Sequence, residues 1–127
     1  MRVKIYISLL AGLIVLLSGN SAIAHHGRAA YTNTTIVLEA TVTEFRFINP
    51  HVQLLFDITD SNGKIQHWQG EMTSPNKMAR GGWAKNTLKP GDKITITGLA
   101  ARNEGQALVI REMVLADGTN VPLREVL

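Results

Sequence analysis

Lys64 to Gly98 reads KIQHWQGEMTSPNKMARGGWAKNTLKPGDKITITG, and the order of elements within it decides the fold. Lys64 to Glu71, carrying Ile65, His67 and Trp68, has the composition of a strand. Ser74-Pro75 then has the form of a helix start: the serine hydroxyl can cap free N–H groups and proline suits the first helical position. Gly81-Gly82 ends that segment after two turns at most, because glycine accepts left-handed geometry. Lys89-Pro90-Gly91-Asp92 is a tight turn, after which Ile94 and Ile96 alternate with threonines up to Gly98. The order is strand, one short helix, strand.

Upstream, Ile36, Leu38, Ala40 and Val42 share one parity whereas Phe45 and Phe47 share the other, so one extra residue enters near Thr43-Glu44 as a β-bulge. Asn49-Pro50 interrupts this strand, since proline has no N–H to donate, and Val52, Leu54, Phe56 and Ile58 resume the alternation in a second strand. Asp60-Ser61-Asn62-Gly63 is a turn that makes strands two and three a hairpin. Downstream, Asn103-Glu104-Gly105 leads into a strand over Ala107 to Leu115, and Ala116 to Thr119 leads into a short last strand around Val121. Five strands and a short sixth, with one small helix between the third and fourth, predict an all-β fold: a small OB-like Greek-key barrel of antiparallel strands. Closure removes the edges that short sheets otherwise expose. A small β-sandwich is the second architecture that fits.

At 127 residues the chain has room for one core. Arg2 and Lys4 precede an uncharged apolar run of thirteen residues, Ile5 to Leu17, which is long enough for a secretory signal and short for a membrane span. Ala22-Ile23-Ala24 supplies small residues where signal peptidase reads. The expected division is a cleaved signal peptide over 1–24, a flexible histidine-containing arm over 25–35 and the barrel over 36–127, with the product in the periplasm and no transmembrane segment left after cleavage.

Composition closes several functional classes. There is no cysteine, which excludes disulfides, thiolate metal sites and thiol nucleophiles. The formal charge is +3, but without Arg2 and Lys4 the balance is 11 Lys/Arg against 10 Asp/Glu, no footprint for nucleic acid. Beyond the leader the only serines are Ser61, in a turn, and Ser74, at the helix start, so a serine hydrolase has no free nucleophile. Gly-rich phosphate loops, GxSxG and HExxH are absent. Glu44, Asp57 and Glu71 are strand carboxylates whose spacing does not set any two opposite one another for glycoside hydrolysis.

The histidines carry more. Cleavage after Ala24 would leave His25 first, with an α-amine and a ring Nδ1 that can close a chelate on one ion, and His26 beside it. Nitrogen donors of this kind favour Cu(II) among first-row divalent ions. His51 or His67 can complete a three-nitrogen set; His51 is the better candidate, because it follows the Asn49-Pro50 turn at a barrel rim and its parity opposes that of Val52, Leu54, Phe56 and Ile58. Ring and amine must lose protons to bind, so uptake would depend on pH. The plain alternative is a solvated tail, a turn-fixing His51 and an ordinary strand histidine at 67. Trp68, Trp83 and His67 offer a weaker ligand-stacking site of the kind OB barrels use, although core packing accounts for both tryptophans more simply.

His25-His26 behind a leader, Asn49-Pro50-His51, Trp68, Ser74-Pro75-Asn76, Gly82-Trp83, Leu88 to Asp92 and Leu115 to Gly118 together resemble the small exported bacterial proteins of domain of unknown function family 6152. The resemblance spans the chain beyond the leader. It implies a secreted β-barrel-like domain and brings no activity with it. This sequence departs from the family's usual pair of arginines before Gly-Trp, having Arg80-Gly81 there.

The expected function is an exported periplasmic binding module rather than an enzyme, holding copper or another divalent ion through His25, His26 and His51. The alternative is a metal-free barrel that holds an envelope protein or small ligand by an aromatic groove or a strand edge. Oxidative chemistry at an N-terminal histidine–copper chelate is a third reading, for which the sequence offers no substrate groove.

Overall fold

The computed structural model of the protein describes residues 30–103 and 105–123. Its elements are β1 (Tyr31–Arg46), β2 (Gln53–Thr59), β3 (Ile65–Glu71), α1 (Pro75–Arg80), β4 (Lys93–Ala101), β5 (Ala107–Val114) and β6 (Asn120–Pro122). The strands run in the order β3-β2-β1-β4-β5-β6, and a parallel pairing of β3 with β5 closes the sheet into a barrel. All other pairings are antiparallel. This is the expected OB-like Greek-key barrel with one short helix between the third and fourth strands.

β1 serves both halves. Residues Thr35 to Thr41 pair with β4, and Thr41 to Arg46 pair with β2. The change of partner is accompanied by the bulge foreseen from parity: Val42 faces Phe56, yet Glu44 faces Leu55, so Thr43 is the extra residue. The strand begins at Tyr31, five residues before the apolar alternation starts. Tyr31 pairs with Ala101, and the Ala30 carbonyl accepts the Arg102 N–H at 2.9 Å, so the segment assigned to an arm is tied to the barrel at residues 30 and 31.

The β2–β3 hairpin turns on Asp60, whose Oδ1 accepts the N–H groups of Asn62 and Lys64, both at 2.9 Å. Gly63 supplies the left-handed residue, φ 77°. In α1, Pro75 sits in the first turn, but the Ser74 hydroxyl makes no capping bond. Instead the Ser74 carbonyl accepts the Met78 N–H at 3.1 Å, the ordinary first bond of a helix. At the other end Gly82 (φ 87°), and not Gly81, takes the left-handed conformation, after which the Met78 carbonyl receives the Trp83 N–H at 3.1 Å. That bond returns the chain to the barrel and plants Trp83, 8% exposed, against Phe45 with ring centroids 5.9 Å apart.

The core is one cluster. Val42, Val52, Leu54, Phe56, Met72, Met78, Ile94, Ile96, Leu108, Ile110 and Met113 are buried in contact with one another. Each such side chain contributes about 1.5–3 kcal/mol by leaving water. Gly70 and Gly98 bring strands close: a Cβ at Gly70 would strike the Ile110 side chain across the β3–β5 seam, and one at Gly98 would strike the Val109 carbonyl.

Candidate functional site

Period-two alternation sorts the β2–β3 hairpin into two faces. Leu54, Phe56, Ile58, Gln66, Trp68 and Gly70 turn inward. Outward, Gln53 faces Glu71, Leu55 faces Gln69, Asp57 faces His67 and Thr59 faces Ile65. Both histidines of the described residues meet a carboxylate on this outer face.

His51 lies two residues ahead of β2, and the backbone beyond the strand end is fixed by a bond from the Val52 N–H to the Thr73 carbonyl, 2.8 Å, and one from the Met72 N–H back to the Val52 carbonyl, 2.9 Å. With Val52 fully buried, His51 turns to the opposite side, where its Nδ1 meets Glu71 Oε1. The other carboxylate oxygen, Oε2, accepts the Tyr31 hydroxyl at 3.1 Å. One carboxylate from the end of β3 therefore joins the start of β1 to the loop before β2. The His51 side chain is 44% exposed and that of Glu71 21%, so the acid is recessed while the ring reaches solvent. Partial burial, together with the charge and hydrogen bond of Glu71, pushes the Tyr31 hydroxyl up to about 12. The phenol stays a donor across the neutral range.

His67 Nδ1 meets Asp57 Oδ1 at 2.6 Å, directly across the hairpin. Its side chain is 84% exposed. Asp57 also borders an open groove of about 780 Å³ lined by Glu39, Thr41, Thr59, Lys93 and Thr95 among others, in which Lys93 Nζ donates to Thr41 Oγ1 at 2.6 Å. Neither tryptophan lines this groove. Trp83 packs in the core, and Trp68 stacks on Phe56 with centroids 6.5 Å apart while its Nε1–H reaches Gln66 Oε1 at 3.3 Å.

Of the sites expected from sequence, His51 is thus accessible at a barrel rim, and His67 stands on the same face of the hairpin, four residues along β3 from the Glu71 that His51 meets. His25 and His26 lie outside the described residues. Among the described residues no three histidine or carboxylate side chains converge to hold a metal; His51 and His67 each present one ring with a carboxylate behind it. Reading the residues singly did not reveal Tyr31 or the bridging role of Glu71. The available signal was parity, which sets Glu71 on the outer face with His51.

Sequence comparison matches residues 13–109 to a family described as "Family of unknown function (DUF6152)". The chain belongs to this family. No curated protein matches it. Among solved structures it is similar to a mitochondrial single-stranded DNA binding protein from S. cerevisiae, Rim1, at 10% identity and a TM-score of 0.50, with 65% of this chain and 93% of that one covered. At that identity the likeness concerns the OB barrel alone. Among the described residues no helix is long and apolar enough to cross a membrane.

Proposed function

We propose that the chain is an exported binding module of the bacterial envelope that holds Cu(II) or another divalent ion between its N-terminal histidines, His25 and His26, and His51 on the barrel. The observation that carries this reading is the shared carboxylate: Tyr31 and His51 bond to the two oxygens of Glu71, so the root of the arm sits beside the histidine it must meet. His26 is five residues from Tyr31, a contour of up to about 17 Å, ample for two residues that leave the same point. Imidazole and amine donors favour Cu(II) by the Irving–Williams order. The outer β2–β3 face supports a small cationic ligand over nucleic acid, since its strand residues carry Asp57 and Glu71 with no lysine, arginine, phenylalanine or tryptophan.

The test is calorimetric titration of the exported chain beginning at His25. About one equivalent of Cu(II) is expected, with tight uptake lost on His51→Ala or when residues are added ahead of His25. Uptake unaffected by both changes would end the proposal. The metal-free alternative is favoured by the open groove beside Asp57 and Lys93, which suits a small polar ligand. It predicts indifference to copper and to His51→Ala.

A further inference from the structure

We infer that Glu71 is a positioning residue that holds His51 as its Nδ1–H tautomer and leaves the Nε2 lone pair turned outward as the ligand atom. The ligand part rests on the copper reading above; the tautomer part stands without it.

A neutral imidazole has one N–H and one lone pair, and an ionised carboxylate can only accept. In the neutral ring, the nitrogen that faces Glu71 Oε1 therefore carries the hydrogen and Nε2 keeps its lone pair. Three features fix the acid in this role. Its backbone is clamped on both sides, opposite Gln53 in β2 and Val109 in β5. Its second oxygen is engaged by the Tyr31 hydroxyl, so the carboxylate plane is set by donors from two directions. Its side chain is recessed, which limits competition from water. A histidine that binds metal through one nitrogen commonly gives its other N–H to such a carboxylate, which orients the ring and raises its basicity. His67 has a similar Nδ1–carboxylate contact with Asp57, but its ring is mostly surrounded by solvent and the arm root lies at Glu71.

The experiment uses the exported chain with 15N-labelled histidine. Long-range 1H–15N correlation without metal, recorded where the spectrum itself shows a neutral ring, should show His51 as a single tautomer with the hydrogen on Nδ1. Addition of diamagnetic Zn(II) should move the Nε2 resonance while Nδ1 keeps its hydrogen. Glu71→Gln should mix the tautomers and weaken Cu(II) uptake about 10–100-fold, whereas Tyr31→Phe should keep the tautomer. A His51 hydrogen on Nε2, or metal bound at Nδ1, overturns the inference even if copper is taken up. A single Nδ1–H tautomer with no uptake of either ion supports the positioning role and removes the copper reading. If Glu71→Gln fails to fold, the wild-type spectra decide the matter alone.

Discussion

Tyr31 gives the rim a built-in reporter. The other tyrosine is Tyr6, so in a chain prepared to begin at His25 phenolate absorbance reads Tyr31 alone. Its alkaline midpoint should lie near 12, displaced by burial first and by Glu71 second. Glu71→Gln should bring it part of the way back toward the ordinary tyrosine value, because the burial remains. The sign for stability follows: a phenol raised in the folded state adds stability that is complete below the unfolded value near 10 and is lost as pH rises through about 12. Tyr31 is only partly buried, so the loss will be modest. Elsewhere single residues count through packing. Trp83→Ala should cost about 3–5 kcal/mol in urea denaturation, since it removes a buried core ring packed against Phe45.

At the scale of elements, the hairpin and the bulge are the informative pieces. Hydrogen bonds from the Lys64 N–H first, then from Asn62 and Gln66, hold the Asp60 carboxyl below the ordinary aspartate value. The stabilisation of the turn is therefore present above the unfolded value and fades as pH falls through the depressed one. The amide shifts of Asn62 and Lys64 should titrate together, with a midpoint below that of a free aspartate, and Asp60→Asn should abolish the transition. Where the β4–β5 register shifts between Thr97 and Gly98, Gly98→Ala should destabilise by about 1–3 kcal/mol and by more than Gly70→Ala, because a carbonyl yields less than the end of an isoleucine. Much of this level was legible in sequence. The flip of parity between Val42 and Phe45 located the bulge, and Ser74-Pro75 with Gly81-Gly82 bounded the helix, because these signals are local. Three things were not legible for the opposite reason. Asn33-Thr34-Thr35 has no alternation, so the true start of β1 was hidden until Ala101 paired with Tyr31. Whether Ser74 caps depends on a rotamer. The meeting of His51, Glu71 and Tyr31 depends on registers fixed by residues far apart in the chain.

The molecule as a whole has one core spanning both halves of β1, which is shared between β2 and β4. Tryptophan fluorescence and far-UV circular dichroism should accordingly report one coincident unfolding transition; two separated transitions would show that the halves are independent. Closure of the barrel is uneven. The parallel contact between β3 and β5 covers three residue pairs, Gln69 to Glu71 against Ala107 to Val109, whereas β1 and β4 meet over a far longer ladder. Such a short clasp is the natural place for breathing, so the amides along it should exchange with deuterium sooner than those of Ile36 to Ala40. Because Glu71 is the last rung of that clasp, each opening would also loosen the grip on the rim histidine, and the lifetime of anything held there would be coupled to the dynamics of the barrel's own fastening.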